Sequence, residues 1–157
     1  MRLSIQMKKI LLVLLKAETD PKSLPVKPFR AYDKRWFEIS ALNIQGKITD
    51  EKMEEMLSEI RPKMTKVDII RCIKPSEVTV TTIEKQNKKL TYIRGSVDLS
   101  VSRSLRRLIE MGLVDVIRKF SPGHHGYLYG LTDKGKATAT TIRNQIKKFI
   151  QEFQNLT

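Results

Sequence analysis

Apolar positions recur along the chain mainly at helical spacing, with a few short β-like runs between them. Residues 3–17 hold an almost continuous apolar run, Ile10-Leu11-Leu12-Val13-Leu14-Leu15. They predict a helix buried on most of its circumference, covered on two sides, one of which a partner subunit could supply. The prolines at 21, 25 and 28 make 19–28 a loop,. Pro28 is suited to open a helix in which Phe29, Tyr32 and Trp36 share a face and Arg30, Lys34 and Arg35 lie off it,. Gly46 interrupts the chain. Thr49 or Asp50 then caps a helix over 50–61, with Met53, Met56, Leu57 and Ile60 as a core stripe and Pro62 beyond its end,.

Residues 64–83 admit two readings. Thr65 and Asp68 suit the start of a short helix reaching Lys74, while the Val and Ile content also suits a strand; Pro75 stops either,. The β-branched run 78–83 favours a strand or a strained helix start, and a polar helix is expected over 82–91, before a turn at Gly95,. The pattern then sharpens. Residues 100–111 predict a helix with a serine cap and a glycine stop at Gly112,. A strand is expected over 113–120, a turn over 121–126 and a returning strand over 127–131,. Thr132 and Asp133 open a final helix running to about 155, with Ile142, Ile146, Phe149, Ile150 and Phe153 on one face,.

The expected fold class is therefore mainly α with a small β-hairpin, an α+β chain. Its 157 residues suit one domain spanning 1–157, and 40% hydrophobic content is enough for a core,. The single cysteine, Cys72, excludes an internal disulfide framework and a multi-cysteine zinc site; a buried, inert thiol is its simplest reading,. The N-terminal run faintly resembles a signal peptide, but it is short and lacks a cleavage site, so the expected location is cytoplasmic, with no membrane partner,. No catalytic constellation, metal cluster or phosphate-binding glycine loop is present, so no enzyme activity, cofactor or metal is expected,.

Charge points to the partner. Thirty Lys/Arg against 17 Asp/Glu give +13, which suits a polyanion such as nucleic acid,. Residues 1–60 hold 11 basic and 9 acidic residues, whereas 61–157 hold 19 and 8. In the 100–111 helix, Val101, Leu105, Leu108 and Ile109 can dock on a core. Ser100, Ser102, Arg103, Ser104, Arg106 and Arg107 offer hydroxyls and guanidinium groups to phosphates or base edges,. An ordinary amphipathic helix with solvated arginines is the plain alternative. The hairpin that follows adds Arg118 and Lys119 at the end of one strand and His124 and His125 at its tip. The histidine pair reads as a phosphate-facing or exposed tip rather than a metal site,. The aromatics at 29, 32, 36 and 37 read first as core, then as an effector pocket or a base-stacking surface.

The runs Leu108-Ile-Glu-Met-Gly-Leu-Val114 and Leu131-Thr-Asp-Lys-Gly135 resemble those of winged helix-turn-helix regulators, the MarR-like and related archaeal and bacterial transcriptional regulators. The resemblance implies a dimeric binder of double-stranded DNA. Ser102, Arg103, Arg106 and Arg107 would fall on its recognition helix, 118–126 on its wing, and 82–92 on the first helix of the turn. It places the core at 64–135 and dimerisation helices at 1–18 and 136–157. Pairing those two apolar helices across a twofold axis would space the recognition helices about 34 Å apart. The sequence gives no support for a small-molecule effector. Two rival readings remain: a replication or chromatin protein binding DNA without sequence preference, and a winged helix used as a protein-interaction module.

Overall fold

The computed structural model describes residues 2–28, 34–83, 88–121 and 124–156; within these, the side chains at 34, 81, 83, 88, 118–121, 124 and 125 lie outside the description. The expected helix opening at Pro28, with Phe29 and Tyr32, falls largely outside the described residues. From Lys34 onward a helix is present.

Helix α1, Ile5–Thr19, starts where Ser4 Oγ accepts from the Met7 amide. Met7, Ile10, Leu11, Leu14 and Leu15 are buried in the main core. Helices α2, Lys34–Ile44, and α3, Asp50–Ser58, pack on each other. Thr49 caps α3 by accepting from the Lys52 amide. The helix ends three residues earlier than the stripe predicts: the Glu59 and Ile60 amides bond the Met56 and Leu57 carbonyls, a tighter turn that closes the helix ahead of Pro62,. Ile60 is nonetheless buried.

The ambiguous stretch resolves into both of its readings in succession. Strand β1, Met64–Thr65, leads into α4, Lys66–Ile73, where Thr65 Oγ1 accepts from the Asp68 amide as the capping pair predicts. Strands β2, Val78–Ile83, and β3, Lys88–Ile93, then form an antiparallel hairpin of six paired positions. Where a helix is expected over 82–92, the described residues 82–83 and 88–92 are strand, so α4 is the described helix that precedes the cationic one. β-Branched residues fill β2 and recur in β3. Their side chains fit a pleated ribbon better than a helix turn, and the cross-strand ladder decides the outcome.

Helix α5, Gly95–Glu110, begins earlier than the serine cap implies. Val97 lies one turn before Val101 on the same face and is buried with it, with Leu105 and with Leu108, so core packing draws the helix back past Ser100,. Gly95 is thus a helix start rather than a turn. At the other end the Leu113 amide bonds the Leu108 carbonyl and the Gly112 amide bonds that of Ile109, with Gly112 at φ 73°. This is the glycine stop read from sequence.

Strands β4, Val114–Ser121, and β5, His124–Leu131, form a second hairpin, and β1 adds to β5 to give the order β1-β5-β4. Ser121 pairs with His124, so only positions 122 and 123 lie between the strands. The expected six-residue turn is therefore too long, and both histidines belong to β5. Helix α6, Asp133–Asn155, is capped by Thr132 Oγ1, which accepts from the Gly135 amide, and packs on α1.

Gly135 is required by close approach. A Cβ there would stand 1.8 Å from the Leu113 carbonyl oxygen, backbone against backbone. Gly135→Ala, usually helpful inside a helix, is expected to destabilise by roughly 3 kcal/mol in urea unfolding.

A second constraint is ionic. Arg61 Nε pairs with Glu18 Oε1 at 3.2 Å, its guanidinium also pairs with Asp133, and it donates to the Leu131 carbonyl at 3.2 Å. The Glu18 side chain is only 8% exposed. Burial pushes its carboxyl above the usual value and Arg61 opposes the shift. A raised folded-state value means that the native chain holds this proton more tightly than the unfolded one, so stability falls as pH rises through that window. The stability of Glu18→Gln relative to the parent should therefore improve as pH is raised from about 4.5 toward 7. Thermal melts across this range check it; a constant difference contradicts the burial effect.

Candidate nucleic-acid interface

Helix α5 is seated on the core by one face and held by polar links on both flanks. Toward α1, Gln6 Nε2 donates to Ser100 Oγ at 3.1 Å and to Ser104 Oγ at 2.9 Å. Toward α4, Lys66 Nζ pairs with Asp98 Oδ1 at 2.9 Å and donates to Ser102 Oγ at 3.1 Å. Lys66 is the first residue of α4, so its ammonium joins the start of one helix to the flank of the next.

The face opposite the core carries Ser96, Leu99, Arg103, Arg106, Arg107 and Glu110, all exposed. A groove of about 580 Å³ runs between this face and the start of α1, where Ser4 and Met7 form its other wall. No salt bridge engages Arg103, Arg106 or Arg107 among the described residues, whereas Arg61, Lys66 and Arg94 are all paired. The three guanidinium groups thus present donors to solvent from a rigid helix, suited to phosphate or a guanine edge.

The ten residues singled out from sequence separate into three groups. Arg103, Arg106 and Arg107 share the open face. Ser100, Ser102 and Ser104 are half-buried and accept hydrogen bonds from Gln6 or Lys66, so they also position the helix. Arg118, Lys119, His124 and His125 lie in the β4–β5 ladder, opposite Tyr127, Gly126, Ser121 and Phe120 respectively. Their side chains lie outside the described residues. No group of three or more metal-ligating side chains occurs among the described residues. No described helix is long and apolar enough to cross a membrane.

Sequence reasoning missed Gln6, Lys66 and Ser96. Gln6 and Lys66 are polar residues on apolar helices, and only the packing shows what they face. Ser96 was hidden by placing the helix start too late; the Val97–Val101 spacing was the available signal. Elsewhere, Trp36 and Phe37 meet edge to face at 5.1 Å, an intrahelical contact rather than a described pocket. Burial, reinforced by Asp68, pushes the Cys72 thiol up, which lowers its thiolate content at neutral pH,.

Comparison with protein-family models, with curated proteins and with solved structures finds no match to this chain.

Proposed function

We propose that the chain is a double-stranded DNA-binding transcriptional regulator of winged-helix type, acting as a homodimer. In this reading α5 enters the major groove and the β4–β5 hairpin lies on the adjacent groove or backbone. One observation carries the reading: a helix locked to the core and to two neighbouring helices turns three arginines, without ion-pair partners among the described residues, to solvent. The major groove, about 12 Å wide, admits such a helix. Phosphate contacts supply most of the affinity, and Arg103, Arg106 and Arg107 the base readout.

Support for the homodimer comes from α6. At about 1.5 Å per residue its 23 residues extend some 34 Å,. Its buried positions, Gly135, Ala139 and Ile142, lie only in the first half. Beyond them Ile146, Phe149, Ile150, Phe153 and Leu156 continue one stripe in the open, with Phe149 68% and Phe153 60% exposed. Ile5 of α1 is exposed beside the same region, and an apolar groove of about 370 Å³ runs between the two helices. A second copy of this stripe would cover the first with matching chemistry.

Arg106→Ala is expected to weaken binding to a specific duplex by about 1–3 kcal/mol if the side chain reads a base. Fluorescence anisotropy on the upstream region of the chain's own gene, against a shuffled duplex across a salt series, measures this. Equal loss on both duplexes makes Arg106 a phosphate contact. Absence of parent-chain binding near 150 mM salt would overturn the DNA reading. The variant Phe149→Glu/Phe153→Glu should elute at the monomer mass of 18.2 kDa, where the parent elutes at twice that. Light scattering after size exclusion checks it, and a monomeric parent rejects the homodimer.

A further inference from the structure

The hairpin β2–β3 sits between α4 and α5, where a short turn would suffice to join two packed helices. Its base is fixed. Val78 and Ile93, the first rung of the ladder, pack against the main core, and Glu77 pairs with Arg94 at 3.3 Å. Arg94 alone separates β3 from the first residue of α5. The ribbon therefore leaves the domain at the N-terminal end of the helix that carries the open arginines, while β4–β5 follows its C-terminal end.

Away from the base the ribbon is uncovered. Val80 is 50%, Leu90 52% and Tyr92 65% exposed, and Thr82, Lys89 and Thr91 are exposed as well. An isolated two-stranded ribbon is only marginally stable in water, so one this open gains from a partner. Its chemistry selects which one. Beyond the base, where Arg94 is paired with Glu77, residues 79–93 contain Lys85, Lys88 and Lys89 against a single acid, Glu84. The remaining polar side chains are mostly threonine and tyrosine hydroxyls. Lysine, threonine and tyrosine are among the side chains that bond phosphate oxygens, a contact that carries no sequence information. Six residues per strand give a reach of about 20 Å, enough to cross a minor groove about 6 Å wide.

We propose that β2–β3 is a second DNA-contacting arm, which grips the sugar-phosphate backbone beside the N-terminal end of α5. The proposal rests on the DNA-binding reading above and extends it to a clamp. Two ribbons, one before and one after α5, hold the duplex on either side of the groove that the helix enters.

The test uses the full-length chain and the variant Lys88→Ala/Lys89→Ala, with circular dichroism and thermal melting to establish that the fold is kept. Affinities for the specific and shuffled duplexes are measured by anisotropy over a salt series. Loss of two phosphate contacts per protomer, four per dimer, should weaken both complexes equally, by at least about 10-fold at 150 mM salt, and reduce the slope of log K against log salt by about 3.6. Arg106→Ala serves as the reference. If Arg106→Ala loses affinity and the lysine variant keeps both affinity and slope, the arm is refuted while the DNA-binding reading stands. If the parent binds neither duplex, both fall. If the lysine variant binds DNA normally but no longer forms the parent's oligomer, the ribbon docks protein and the arm is likewise refuted.

Discussion

The junction where α5 turns into β4 is the constraint on which the rest depends. A helix that ends inside a domain leaves carbonyls without partners, and each such group is costly when buried. The Met111, Gly112 and Leu113 amides meet the last carbonyls of α5 itself, and the start of α6 supplies donors to the three carbonyls that follow it. Lys134 Nζ donates to the Met111 carbonyl at 3.2 Å, Thr132 Oγ1 to that of Gly112 at 2.6 Å and the Thr132 amide to that of Leu113 at 3.2 Å. The contact requires two glycines: Gly112 in left-handed backbone, and Gly135 to let two backbones meet,. It joins the arginine-bearing helix directly to the helix with the exposed apolar stripe. The relation of any paired surface on α6 to the open face of α5 is therefore set by the close backbone approach at Gly135 and the Thr132 amide bond, with the Thr132 and Lys134 side chains adding to it.

Around this junction, polar residues act as fasteners at the margins of an apolar core. Arg61 ties the end of α1 to the end of β5 and the start of α6. Lys66 and Gln6 brace α5 from two sides. In each case the cation or amide serves at least two partners, which fixes an orientation more firmly than one surface pair would. The arginines of the open face are left for something else to meet.

Charge follows the same division of labour. Helix α3 carries the acidic stretch of the chain, Asp50, Glu51, Glu54 and Glu55, and packs on α2. The basic excess lies after residue 61, on α5, both hairpins and α6. A polyanion approaching this molecule would be drawn to the α5 side and turned from α3.

The amino-acid sequence by itself determined the elements whose signals are local. Helical stripes gave α1, α3 and α6, Thr49, Thr65 and Thr132 their caps, Gly112 the end of α5, and the Leu131-to-Gly135 run the start of α6. It also singled out the three arginines that share the open face. Tertiary structure decided what depends on distant partners. The ladder made β2–β3 a hairpin where single-residue preferences left helix and strand in balance, because its cross-strand bonds exist only once both segments are present,. Burial of Val97 against the core, not a serine cap, set where α5 begins. Ser100, Ser102 and Ser104 are turned toward Gln6 and Lys66 because α1 and α4 flank α5, an arrangement between residues 36 to 98 positions apart that no local pattern encodes.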